Sequence, residues 1–185
     1  GKVILKADSV IEELATDKEG KLTFTADLPI GFEYYIKETT PAPGFATTDE
    51  VQEFKFEYEG ADKEKVTYSF TFEDEPTVIE VTKTSLTDGK ELEGAKLQVT
   101  DEDGKVVDSW TSGKEAHIIK ELVVGRKYTL TETKPADGYV TAESITFTIE
   151  DTEKPQKIEM KDDVTKVEIS KTDISGKELP GAKLT

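Results

Sequence analysis

Apolar and polar residues alternate with a period of two through most of this chain, the period of a β-strand. In Val78 to Lys83 (VIEVTK), Ile79, Val81 and Lys83 share one face, and Val78, Glu80 and Thr82 share the other. In Tyr128 to Glu132 (YTLTE), Tyr128, Leu130 and Glu132 share a face, and in Ile158 to Asp162 (IEMKD) so do Ile158, Met160 and Asp162. Turn signals separate such segments: Lys18-Glu19-Gly20, Asp88-Gly89, Asp103-Gly104 and Asp137-Gly138. No helical apolar period persists for three turns. The pattern predicts an all-β chain.

Each of the three apolar stripes ends in an ionisable residue. A buried ammonium is expensive unless it is paired or loses its charge, so an inward Lys83 needs a partner. If all three stripes face one core, Lys83, Glu132 and Asp162 form a buried triad. The competing reading places each at a strand end, reaching for water. For one strand that reading is the stronger; three such strands within one repeat weaken it.

The repeat is explicit. Val81-Thr82-Lys83-Thr84 matches Ile169-Ser170-Lys171-Thr172, a shift of 171 − 83 = 88, and GKELEGAKL (Gly89 to Leu97) matches GKELPGAKL (Gly176 to Leu184). GFEYYIKETTPAPGF (Gly31 to Phe45) matches GRKYTLTETKPADGY (Gly125 to Tyr139), which aligns Glu38 with Glu132. Phe72 to Thr77 matches Met160 to Thr165, which aligns Asp74 with Asp162. The parity carries over: Tyr34, Ile36 and Glu38 share a face, as do Phe70, Phe72 and Asp74. Residues 1–76 therefore read as one domain lacking its opening strand, 77–163 as a complete domain, and 164–185 as the opening strands of a third. A period near 88 residues filled with short strands suits tandem immunoglobulin-like sandwiches, and such short junctions imply a stiff row. Lys6 shares its face with Ile4 and Asp8, a poor stripe, and reads as solvated.

Composition narrows the function. The 185 residues carry a formal net charge of −16, which argues against nucleic acid or an anionic membrane as partner. There is no cysteine, so no disulfide staples the fold. No apolar run is long enough to span a bilayer and no signal peptide precedes the repeats. Both ends fall inside recognisable sequence, so the stretch reads as an internal piece of a longer protein.

The ordered set I-E-V-T-K-T, G-K-E-L-E-G-A-K-L, Y-T-L-T-E-T-K-P-A-D-G-Y and I-E-M-K-D-D resembles the Cna B-type (SpaA-like, prealbumin-like) repeats of Gram-positive surface adhesins and pilins. The resemblance implies an intramolecular isopeptide bond between a lysine on the first strand and an acceptor on the last, assisted by a glutamate. By position these are Lys83, Asp162 and Glu132, with Glu38, Asp74 and Lys171 as the equivalents in the incomplete repeats. Most members carry asparagine as acceptor; aspartate here would release water rather than ammonia. The resemblance further implies a cell-wall-anchored, extracellular location, neighbouring repeats of the same protein as partners, no cofactor, and self-modification rather than enzyme turnover.

His117 is the sole histidine, which supports neither a catalytic triad nor a zinc site, and it reads as a packing residue. Trp110 reads as sandwich core. Asp101-Glu102-Asp103-Gly104 is similar to a calcium loop but lacks its distal glutamate, Ser112 standing there, and reads as a hairpin turn without metal. Pro41-Ala42-Pro43-Gly44 and Pro135-Ala136-Asp137-Gly138 read as rigid turns after the glutamate strands. A structural stalk module is the favoured function. The rivals are a module binding host matrix protein or glycan, sandwich edges being able to bind peptides by strand addition, a glycosidase using paired carboxylates, and a head-to-tail assembly in which Lys171 of one chain meets Glu38 and Asp74 of another.

Overall fold

The computed structural model describes residues 6–24, 28–57 and 68–185. Ile4, used above to judge the face of Lys6, lies outside them; Lys6 itself is exposed. The chain divides into two compact units, Gly1–Lys37 with Asp49–Thr71, and Glu38–Thr48 with Phe72–Thr185. The fold is all-β and immunoglobulin-like.

In the first unit β1 (Glu33–Lys37) pairs antiparallel with β2 (Val51–Lys55), Tyr34 opposite Phe54. Inward aromatics hold this hairpin together. Phe54 stacks on Tyr34 at 5.6 Å and meets Phe56 edge-on at 5.4 Å and Phe70 at 5.3 Å. Such pairs stabilise beyond the area they bury.

The second unit is a two-sheet sandwich. Its strands are β3 (Val78–Ser85), β4 (Lys96–Thr100), β5 (Val106–Thr111), β6 (His117–Lys120), β7 (Lys127–Lys134), β8 (Ile145–Thr148) and β9 (Gln156–Asp162). One sheet runs β6-β3-β9 and the other β5-β4-β7-β8. The pairings are antiparallel except β3 with β9, the first and last strands, which run parallel. Ile79, Val81 and Met160 from one sheet pack on Leu97, Val99, Tyr128, Leu130 and Phe147 from the other, with Ile119, Leu122 and Ile149 closing the core. These are the inward positions of the alternating stripes.

β5 and β6, the edges of the two sheets on one side, are tied together by side chains. His117 stacks on Trp110 with ring centroids 4.1 Å apart, and its Nε2 lies 2.8 Å from Asp108 Oδ2. Trp110 is half-buried at the margin of the core rather than at its centre. Asp101 Oδ1 accepts from the backbone amides of Asp103 and Lys105, so the loop that resembled a calcium site is a side-chain-capped hairpin turn. The same capping recurs at Asp17 and Asp173.

Residues 164–185 carry no strand. A strand is defined by its ladder, and none of the described residues pairs with Lys166 to Lys171. What forms there is local: Thr172 bridges Glu178 as Thr84 bridges Glu91, and the Leu179 amide bonds the Lys171 carbonyl at 2.7 Å as the Leu92 amide bonds that of Lys83.

Candidate functional site

Lys83, Glu132 and Asp162 meet inside the sandwich. Lys83 and Asp162 come from neighbouring strands of one sheet, and Glu132 from β7 of the facing sheet. Lys83 is 2 % exposed, Glu132 4 % and Asp162 1 %, so water does not screen the cluster. Lys83 Nζ lies 3.0 Å from Glu132 Oε1 and is in direct contact with Asp162 Oδ1.

Local structure explains why each side chain is held. Lys83 stands opposite Met160 in the parallel ladder, and Asp162 opposite Ser85, so the ammonium reaches diagonally along the sheet. On its other edge β3 pairs with β6 only from Val78 to Val81. Beyond that, the Gly89–Leu97 segment takes over. Glu91 Oε2 accepts from the Lys83 amide at 3.2 Å, and the Lys83 carbonyl accepts from the Leu92 amide at 2.7 Å. The repeated GKELEGAKL motif is thus the clamp that fixes the lysine backbone. Glu91 escaped the reading of single residues; the signal that pointed to it was its place in the repeated GKEL segment, eight residues after Lys83 and seven, as Glu178, after Lys171. Glu132 is held by a hydrogen bond from the Ala142 amide to Oε2 at 2.8 Å, leaving Oε1 turned to the lysine.

Burial pushes the Asp162 carboxyl above its ordinary range; the adjacent lysine opposes this and Glu132 adds to it. Its second oxygen, Oδ2, is buried without a hydrogen-bond partner, as is Glu132 Oε1, which meets the lysine only as an ion pair. The lysine nitrogen thus lies against a carboxyl whose neutral form is favoured by burial, with a second carboxyl group on its other side.

The equivalent residues of the first repeat are partly assembled. Glu38 Oε2 accepts from the Thr48 amide at 3.1 Å, as Glu132 does from Ala142. Burial raises the Glu38 carboxyl, and the nearby charge of Asp74 raises it further. Asp74 Oδ1 is buried without a hydrogen-bond partner. Lys171 is exposed and is not brought to either pair. Among the described residues no group of three or more histidines, cysteines or carboxylates is arranged to hold a metal. No helix there is long and apolar enough to cross a membrane.

Comparison with known proteins gives the same pattern a family. The profile described as SpaA, prealbumin-like fold domain, matches twice, over residues 2–74 and 77–164. No curated protein sequence matches the chain. Among solved structures, the Bacillus anthracis TIE protein is 26 % identical with a TM-score of 0.51, over 82 % of this chain and 32 % of that one. The shaft pilin SpaA from Lactobacillus rhamnosus GG, as an E269A/D295N double mutant, is 15 % identical with a TM-score of 0.44, over 74 % and 64 %. A C-terminal fragment of the pilus adhesin SpaC from the same organism is 20 % identical with a TM-score of 0.43, over 52 % and 49 %. The chain therefore spans about a third of the length of the first of these.

Proposed function

The chain belongs to the family of SpaA prealbumin-like fold domains, and on that premise we propose that it is a stalk segment of a Gram-positive surface adhesin or pilus, closed by an autocatalytic amide between Lys83 and Asp162. The observation that carries this reading is the dry contact of Lys83 with Asp162, under Glu132 from the facing sheet.

The chemistry follows from the burial. Asp162 is biased towards the neutral acid, whose carbonyl carbon accepts a nucleophile where a carboxylate would repel it. Glu132 takes a proton from the Lys83 ammonium, and the freed amine attacks Asp162 Cγ. The Nζ–Cγ bond forms, the bond from Cγ to the hydroxyl oxygen breaks, Glu132 returns its proton to the departing hydroxyl, which leaves as water, and Glu132 then takes the second proton from Nζ, so that a neutral amide is left beside a protonated Glu132. Holding the two groups in contact replaces an encounter by a unimolecular step, an advantage of about 7–11 kcal/mol in favourable geometries. The product amide is uncharged, which removes the cost of burying the ions. Each chain reacts once, so this is self-modification and not turnover.

The modules in this reading are 1–76, 77–163 and the opening of a third over 164–185, the first two of them supported by the family matches at 2–74 and 77–164. Their partners are neighbouring repeats of the same protein, and their place is the outer surface of the cell wall. Intact mass under denaturing conditions tests the bond. The expected mass is one water below the sequence mass, with a tryptic peptide joining Lys83 to Asp162. A chain at full sequence mass would defeat the proposal.

A further inference from the structure

The turn at Gly44 and its repeat equivalent at Gly138 have the same internal structure but different surroundings. Gly44 and Gly138 both have positive φ, +94° and +88°. Each carbonyl accepts from the amide of a threonine that starts the next repeat: Thr77 N to Gly44 O at 2.9 Å, Thr165 N to Gly138 O at 2.9 Å. The threonine hydroxyls bond the same carbonyls, at 3.3 and 3.1 Å. The Ala46 amide bonds Glu75 O at 3.0 Å, and the Val140 amide bonds Asp163 O at 2.9 Å. Phe45 bridges Pro76, and Tyr139 bridges Val164.

The turn at Gly44 is filled by the body of the repeat that follows it, all within the second compact unit. The Thr77 hydroxyl reaches the Leu122 carbonyl at 2.7 Å. Glu121, itself at φ +62°, sits so close to Gly44 that a Cβ there would come within 2.9 Å of the Glu121 carbonyl oxygen. Asp151 takes Thr47 with both oxygens, from the amide at 2.8 Å and the hydroxyl at 2.7 Å. Ala46 and Thr77 are consequently buried. At the other turn a Cβ on Gly138 would meet nothing within 4 Å, Val140 is 50 % exposed, and Thr141 and Thr165 are exposed.

We propose that Gly138, Val140, Thr141 and Thr165 form a seat for one occupant, the body of a following repeat of the 77–163 kind. That body would present a backbone carbonyl in the place of Leu122 and a carboxylate in the place of Asp151, the carboxylate capturing Thr141. The inference deepens the reading of the chain as a row of modules and is independent of the crosslink. Gly138 leaves room for the close approach, and Thr141 offers the same amide and hydroxyl pair as Thr47.

The test appends residues 77–163 after Val164 of the full chain, so that Thr77 of the appended copy takes the place of Thr165. Because Ala46 is fully buried where Val140 would be, the protein is made with and without Val140→Ala. Amide exchange is read residue by residue, with slow exchange of the Leu130 amide in both copies certifying that both sandwiches fold. In at least one of the two forms, the Thr141 amide slows by about tenfold relative to the 185-residue chain, and Asp151→Ala in the appended copy alone abolishes the slowing. In the 185-residue chain, Asp151→Ala speeds exchange of the Thr47 amide. Unchanged exchange at Thr141 in both forms, or at Thr47 in the shorter protein, would overturn the proposal. Denaturing mass on the same samples reports the crosslink separately, so failure of one reading is not mistaken for failure of the other.

Discussion

Asp162 lies two residues beyond Met160, the residue paired with Lys83 in the parallel ladder, and the lysine side chain spans that diagonal to touch it. This offset places the reactive groups at the end of the strands through which a pulling force would leave the module. Tension on Thr77 and Thr165 loads β3 and β9 in shear, and an amide between Lys83 and Asp162 would bypass the intervening chain. Under single-molecule extension the wild-type second module should therefore release little length. A Lys83→Ala chain should release the loop of 162 − 83 = 79 residues, about 270 Å when fully stretched. Equal release by the two proteins would count against the load path.

Removing the bond should also lower thermal stability. Treated as a covalent loop closure of that length, an amide between Lys83 and Asp162 would restrict the unfolded chain by about 4–5 kcal/mol. Lys83→Ala and Asp162→Ala should each leave a folded module that melts well below wild type in calorimetry. Lys83→Ala additionally strands Glu132 and Asp162 as two buried acids without their cation, so it should be the weaker of the two.

Glu132 has separable roles, and Glu132→Gln separates them. The glutamine carbonyl can still accept from the Ala142 amide, the bond that Glu132 Oε2 now makes, but it cannot relay a proton. The variant should fold, keep its ladder, and remain at full sequence mass over days. Linkage at the wild-type rate would exclude Glu132 as the proton carrier.

The unlinked Glu132→Gln protein should show a pH dependence that the linked protein lacks. Burial raises the folded Asp162 carboxyl above its unfolded value. A raised acid stabilises the fold below the unfolded value, about pH 4, and that contribution is lost as pH rises through the folded value. Melting temperature of the variant should therefore fall relative to wild type across that window, because Asp162 held in an amide would not titrate. Glu38, raised in both proteins, cancels in the difference. Parallel curves would refute an ionisable Asp162 in the variant.

Two glycines with one backbone conformation should respond differently to alanine. Gly44→Ala adds a Cβ against the Glu121 carbonyl as well as φ strain, whereas Gly138→Ala adds strain alone. Each should lower the melting temperature of the second unit, Gly44→Ala by the larger amount.

Much of the site was legible because the alternation of a strand leaves little freedom. Once Ile79 and Val81 face the core, Lys83 must as well, and Tyr128 and Leu130 impose the same on Glu132. Repetition then linked three distant stripes. What alternation does not encode is contact between loops. Asp151 reaches Thr47 across 104 residues of sequence, and neither lies in a periodic segment. Sequence repetition likewise drew a boundary near Pro76, while packing assigns Glu38–Thr48 and Phe72–Pro76 to the unit that follows. Ala46 is buried there by neighbours that no pattern in its own segment announces.

The pairing of the first strand with the last has a consequence for damage. With Lys83 joined to Asp162, the backbone from one to the other becomes a ring. A protease that cut any single loop between them would open the ring without severing the chain, because both halves would stay attached through the amide. A nicked module of this kind would still hold whatever is strung beyond it.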